Sequence, residues 1–396
     1  MNIILFDDEA RTGLLPLTFT KPVSELRLGI LTIREKWQKF IKGDVSWSTQ
    51  DYLQSKYPLV IKTENLFING SVSPNAELVS AIEKLESGQS IRQAEVLIAF
   101  KAKAVSAELF HKERIYKEES GIEFKGNLVR LRQCWDLFSK NEQAISDDFH
   151  LITKGRKSQP VSSSNQTINP ENIFLEEGAK VECAVLNAST GFIYLDKNSE
   201  VMEGAMIRGP FSLGEASQLK MGAKIYGATT IGPHCKVGGE VNNSVISGYS
   251  NKAHDGFLGN SVIGEWCNLG ADSNNSNLKN NYSTVKVWSF EEENYVSSGL
   301  QFCGLIMGDH SKCSINTMFN TGTVVGVSAN IFGNGFPQKY IPSFSWGGSE
   351  GFNTYRLEEA MDVAQRVFER RKLEFGAADQ EIFKHLFDLT TIHRAW

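Results

Sequence analysis

Eight aliphatic residues, Leu195, Val201, Ile207, Leu213, Leu219, Ile225, Ile231 and Val237, follow one another six positions apart without a break. A helix repeats every 3.6 residues and a half-buried strand every two, so neither produces this rhythm. A six-residue unit is one short strand plus a tight turn. Three units close one triangular coil of a parallel β-helix, with the aliphatics stacked inside. Four positions after the first seven aliphatics stand Ser199, Ala205, Phe211, Ser217, Ala223, Thr229 and Cys235, small in all but one case, as a tight corner requires. Gly214, Gly232 and Gly238 directly follow an aliphatic, where backbones approach closely. The rhythm fails near Asn243, continues through Ile246, Leu258, Ile263 and Leu269, and is restored at Met307, Cys313, Phe319, Val325 and Ile331. Residues 279–300, KNNYSTVKVWSFEEENYVSSGL, read as a charged, aromatic insertion, and long loops of this kind tend to carry function.

The 396 residues leave room for two or three domains. Residues 1–160 alternate short apolar strands such as NIILF and EVLIAF with helical patterns such as Leu78, Val79, Ile82 and Leu85, which predicts an α/β domain. The polar residues 161–172 read as a linker and 173–350 as the solenoid. In residues 351–396 two amphipathic helices are expected, one through Leu357, Met361, Ala364 and Phe368, the other through Ile382, Phe383 and Leu386. They are expected to cap the solenoid end or to pack on a neighbouring subunit. With 41 basic and 46 acidic residues well mixed, nothing marks a nucleic-acid face. No apolar run approaches the ~20 residues of a membrane span. The start, MNIILFDDEA, is not a signal peptide, and the six cysteines form no C-x-x-C pair, which reads as reduced thiols in a cytoplasmic protein. Small-molecule chemistry is the expectation.

That chemistry is carried first by KAHDGFLGNSVIGEWCNLGA, Lys252 to Ala271. It resembles the acetyltransferase half of the bifunctional bacterial family that acetylates glucosamine-1-phosphate and then uridylylates the product to UDP-N-acetylglucosamine. The shared positions are Lys252, Ala253, His254, Phe257, Leu258, Gly259, Asn268, Leu269, Gly270 and Ala271; Phe257 replaces the family's tyrosine. An ammonium must lose its proton before it attacks a thioester, and an imidazole titrating near ~6.5 is suited to take it. The resemblance implies a left-handed β-helix assembled as a homotrimer, with His254 as general base and acetyl-CoA as cosubstrate. It places Lys224, Lys252, Phe257 and Asn268 at the acceptor sugar phosphate, the backbone N–H of Ala271 at the thioester oxygen, and Ala271, Ile315 and Gly333 along coenzyme A. A zinc hydratase built on His234, His254 and His310 is the competing use of such a solenoid. The spacings of these histidines, 20 and 56, lack the pair five apart that such sites resemble.

The N-terminal stretch RTGLLPLTFTKPVSELRLGILTIREKW resembles the opening of sugar-1-phosphate nucleotidyltransferases through Arg11, Leu15, Pro16, Leu17, Thr18, Lys21 and Pro22. This implies a nucleoside triphosphate, UTP with Mg2+, in which Arg11 stabilises pyrophosphate and Lys21 neutralises phosphate charge. The chain departs from that pattern. FDDEA, Phe6 to Ala10, stands in place of the glycine-rich loop, and Ser71 in place of a magnesium aspartate; Asp7, Asp8 and Asp136 are the carboxylates available instead. Three readings stay open: a bifunctional enzyme, an acyltransferase with a degenerate nucleotide- or sugar-binding front domain, and a nucleotidyltransferase for another sugar phosphate.

Overall fold

Three parallel sheets wind around one apolar column in the computed structural model, which describes residues 2–113 and 120–396. The column belongs to the larger of two compact units, formed by Leu15–Phe19, Arg27–Ile30 and Gln133–Trp396. It is a parallel β-helix of the left-handed class. Its first face begins at Gln166–Ile168, inside the stretch whose polar composition reads as a linker, because that backbone pairs with Val185–Asn187. The second face holds nine parallel strands, from Ile173–Leu175 to Tyr340–Ile341. The third runs from Lys180–Val181 to Ser345–Gly348, where Gly351–Thr354 folds back antiparallel and closes the end.

All eight residues of the six-spaced run point inward and are at most 2% exposed. One corner shows why small polar residues recur between them. Ser217, Ser250 and Ser311 donate to the carbonyls of Gly232, Gly264 and Gly326, each in the following coil. Cys235 and Cys267 hold equivalent places and donate to Ser247 and Gly308. Each hydroxyl or thiol satisfies a carbonyl that the turn removes from the ladder, so the corner is closed to water without an orphaned acceptor. Burial pushes the Cys235 thiol up to about 12, which leaves it protonated and inert.

The break near Asn243 is a shortened coil. Leu219 pairs with Val237 eighteen residues on, whereas Val237 pairs with Lys252 only fifteen on. The ladder therefore continues although the sequence rhythm does not, and the inward place after Val237 is filled by a lysine. Within the insertion, Lys286–Ser289 and Asn294–Ser297 form an antiparallel hairpin with Val287 buried.

The corner of Ser217, Cys235, Ser250, Cys267 and Ser311 also carries, one residue earlier in each turn, residues in the left-handed backbone region, among them His234, Tyr249, Trp266, His310 and Phe344, with φ between 56° and 64°. Bulky residues rarely adopt it. Here each N–H reaches a carbonyl of the preceding coil, as from Tyr249 to Pro233 and from His310 to Glu265 (both 2.8 Å). The side chains stack: His234 on Tyr249 at 4.7 Å, and Tyr249 on Trp266 at 4.1 Å. The C-terminal helices Leu357–Arg370 and Ala377–Leu389 pack on this corner through Phe368, 3.9 Å from Trp266, and Phe383, 4.9 Å from His310. They cover the side of their own solenoid as well as following its end.

The smaller unit comprises residues up to Leu14, Thr20–Leu26 and Leu31–Arg132. Its six-stranded sheet runs Asp44–Ser48, Asn2–Phe6, Glu64–Asn69, Val96–Lys103, Gln89–Gln93, Ser120–Glu123. The first three strands are parallel. Phe6, Phe67, Phe100 and Phe110 cluster on it, with Phe67 and Phe100 stacked at 4.5 Å.

Trp266 ties the aromatic corner to the helix Leu357–Arg370. Trp266→Ala is expected to lower unfolding free energy by about 3–5 kcal/mol and to raise limited proteolysis after Tyr355, measured by urea denaturation and mass spectrometry of the fragments.

Candidate functional site

Register brings the expected solenoid residues to one edge. Lys252, Leu269, Cys313 and Ile331 are successive inward residues of the third face. Two positions beyond each stands His254, Ala271, Ile315 or Gly333, so these four occupy the same corner in four consecutive coils. Nearby backbone bonds hold the turns together: Asp272 N–H to Asp255 O at 3.0 Å, and Asn316 N–H to Ala271 O at 2.8 Å.

A groove of about 760 Å³ opens on this corner, lined by Met202, Lys220, Met221, Gly239, Ala253, His254, Asp255, Ala271 and Asp272. His254 and Ala271 thus share one cavity, and the His254 side chain is exposed in it. Lys220 supplies a cation, its Nζ 3.0 Å from Gln218 Oε1. Lys224 stands outside the lining, exposed on the first face. Phe257 and Asn268 flank the corner, on the first and third faces respectively. Met202, Met221, Asp255 and Asp272 were not legible as site residues, because which turn residues face a groove depends on coil register.

Two glycines shape the turn. Gly256 has φ +113°, and a Cβ there would lie 2.2 Å from Ser273 O; one on Gly239 would lie 2.8 Å from His254 O. The coils on either side of His254 are therefore in backbone contact, with no room for a side chain.

Lys252 is placed differently from what a sugar contact needs. It is 2% exposed. Its ammonium donates to His254 O and, at 3.0 Å, to Asp255 O. Burial lowers its pKa from 10.5 to about 8, partly opposed by Asp255. It supports the His254 turn from beneath. His234 and His310 belong to the aromatic corner, with Tyr249 and Trp266 between them, while His254 belongs to the groove corner. Among the described residues no group of His, Cys, Asp or Glu is arranged to hold a metal.

In the smaller unit, charged residues gather at the carboxyl ends of parallel strands, the usual site in an open α/β sheet. Arg11 is buried, 3.4 Å from Asp7 and 2.8 Å from the Tyr52 hydroxyl. Lys21 is 4% exposed. Arg130, which no sequence signal singled out, lies 2.6 Å from both Asp8 and Glu9 and 3.1 Å from Ser71 Oγ. Ser71 itself donates to Asn69 Oδ1. Asp7 and Asp8 are each engaged by an arginine and the expected metal position is a serine, so the residues present do not by themselves fit a magnesium ion. Asp136 is paired with Lys140 in the larger unit.

Residues 3–157 match the family model for sugar nucleotidyl transferases. The front of the chain is therefore nucleotidyltransferase-like, which supports a transferase. Among curated proteins none matches the chain. Similar solved structures include an Arabidopsis UDP-N-acetylglucosamine acyltransferase, 17% identical over 53% of this chain and 82% of that one, with a TM-score of 0.24. A hexapeptide transferase family protein from Anaplasma phagocytophilum is 12% identical over 58% and 89%, with a TM-score of 0.23. The polySia-specific acetyltransferase NeuO is 14% identical over 52% and 83%, at 0.20. Likeness at these scores says nothing about activity.

Two outcomes follow from this geometry. Gly256→Ala should distort the His254 turn and reduce any activity of the groove while leaving overall secondary structure intact by circular dichroism. Below about pH 8 the Lys252 ammonium is charged in folded and unfolded chains alike, and its burial weighs on the fold in full. Between pH 8 and 10.5 the folded chain has released a proton that the unfolded chain keeps, so the parent gains stability over a variant lacking the amine. Against Lys252→Met that gain should approach 3 kcal/mol, at about 1.4 kcal/mol per pH unit, read from urea melts at pH 7.5 and 10.5.

Proposed function

We propose that this chain is a cytoplasmic enzyme of sugar-nucleotide formation that acetylates glucosamine-1-phosphate from acetyl-CoA in the groove at His254. The alignment of His254, Ala271, Ile315 and Gly333 along one corner carries this reading. His254 takes a proton from the sugar ammonium, and the free amine attacks the thioester carbonyl. The Ala271 N–H stabilises the resulting oxyanion, and the thiolate of coenzyme A leaves with a proton. Lys220 and Lys224 are the cations for the sugar phosphate, with Phe257 and Asn268 beside the sugar. The thioester's carrier arm runs past Ile315 and Gly333. Met206, Met221 and Ile315, 48%, 70% and 64% exposed, provide apolar surface around the groove. Such exposure supports a second subunit there, in a homotrimer.

The family match over residues 3–157, which takes in the smaller unit, supports nucleotidyl transfer to a sugar phosphate; we read it as uridylyl transfer from UTP, with Arg11, Lys21 and Arg130 as its cations. A second reading, in which this unit only binds a nucleotide or sugar phosphate, is favoured by the arginine pairing of Asp7 and Asp8.

Incubation with glucosamine-1-phosphate, acetyl-CoA, UTP and magnesium should yield N-acetylglucosamine-1-phosphate, identified by mass. His254→Ala should lower that step about 10²–10⁴-fold without changing the sedimentation coefficient; unchanged turnover sinks the reading. UTP-dependent pyrophosphate release, lost in Lys21→Ala, decides for transfer in the front unit, and its absence from the parent decides for binding alone.

A further inference from the structure

The hairpin of the insertion reaches the nucleotidyltransferase-like opening of the chain. Its strands Lys286–Ser289 and Asn294–Ser297 are joined by a tip that begins with Phe290. The hairpin is anchored on the last strand of the second face: Trp288 stacks on Tyr340 at 4.2 Å with 5° between the ring planes, and the Lys339 ammonium donates to Lys286 O at 2.8 Å. Phe290, half-buried, meets three rings edge-on, those of Tyr340 at 5.6 Å, His393 at 5.8 Å and Phe19 at 5.4 Å. The first two belong to the solenoid and the chain end. The third belongs to Leu15–Phe19, the part of the opening motif that packs within the larger unit.

Phe19 is buried, and two residues after it stands Lys21, buried as well. The opening is tied on both sides of that lysine. On one side Cys134 Sγ donates to Leu15 O at 3.2 Å, and Phe19 meets Phe290. On the other the Val23 N–H donates to Asp7 Oδ1 at 2.9 Å, and Asp7 lies 3.4 Å from Arg11. Thr20, Lys21 and Pro22 alone separate Phe19 from Val23 in sequence. An extended residue spans at most about 3.6 Å, and the Pro22 ring fixes one torsion of the three, with φ −63°. So short a bridge passes a shift of Phe19 on to the Lys21 backbone.

A group that meets substrate must be held within about 0.5 Å of its productive place by the packing around it. Edge-to-face rings supply such support, because the contact fixes orientation as well as burying surface. Val287, which is buried, and Trp288 already anchor the hairpin to the solenoid, so the ring at its tip is not required for that purpose. We propose that Phe290 is a positioning residue for the smaller unit: it holds Phe19, and through Phe19 the segment that carries Lys21. This rests on the reading of Lys21 as a phosphate cation. The insertion then serves the opening of the chain, at a distance in sequence of more than 260 residues.

Hydrogen exchange of the full chain without nucleotide should be at least about tenfold faster over residues 15–21 in Phe290→Ala, unchanged over residues 211–237 of the solenoid, and close to the parent in Phe290→Tyr. By calorimetry, Phe290→Ala should weaken UTP binding at least about fivefold on its own and less than about twofold when Lys21→Ala is already present, because its effect runs through that lysine. Unchanged exchange over residues 15–21 overturns the proposal, as does a loss of UTP affinity that is equally large in the Lys21→Ala background. A parent chain that binds no UTP removes the nucleotidyl reading instead, and the exchange comparison, which needs no nucleotide, then decides whether Phe290 holds the segment.

Discussion

Stacking of one inward side chain per strand on its counterpart in the next coil is the constraint from which the rest of the larger unit follows. Adjacent parallel strands lie about 4.8 Å apart. Once Leu195, Leu213 and Ile231 are stacked on one face and Val201, Leu219 and Val237 on another, every corner residue is repeated at that interval. A property assigned to one turn becomes a column. One corner holds two columns side by side, a small polar one whose hydroxyls and thiols close carbonyls and an aromatic one that receives the C-terminal helices. Another corner carries the candidate base.

What could be read from sequence alone divides along the same line. The six-residue period names the solenoid because it is local, and KAHDG marks His254 because its neighbours are contiguous. The polar segment before Ile173 hides the strand Gln166–Ile168, whose reason to be extended is a partner nineteen residues later. Lys252 looks like a surface cation until the fifteen-residue coil is recognised; only then does its position fall in line with Val237 and Leu269. The aromatic corner is hidden for another reason, since large residues at positive φ contradict local preference and are held there by bonds between coils. Arg130 meets Asp8 across more than a hundred residues of sequence, beyond any motif.

The two units differ in how their polar groups are committed. In the groove, His254, Asp255 and Asp272 are exposed, and the backbone around them is fixed by glycine contacts. In the smaller unit the charges already neutralise one another: Asp7 with Arg11, and Asp8 and Glu9 with Arg130. A polyphosphate arriving there competes with carboxylates already in place, so binding requires an exchange of partners. The groove asks for no such exchange.

The unequal coil also bears on how the chain finds its register. A solenoid of identical eighteen-residue coils could slide by a whole coil and still lay aliphatic on aliphatic, giving many near-degenerate alignments. The fifteen-residue coil removes that freedom, because Val237 meets Lys252 rather than a residue eighteen on. A chain slid by one coil would set this short coil against an eighteen-residue neighbour and lose the ladder beyond it. Lys252 carries its own partners with it, since its ammonium is held by His254 and Asp255 of the same turn. One coil of odd length thus indexes the repeat, much as a single buried polar residue sets the register of a coiled coil.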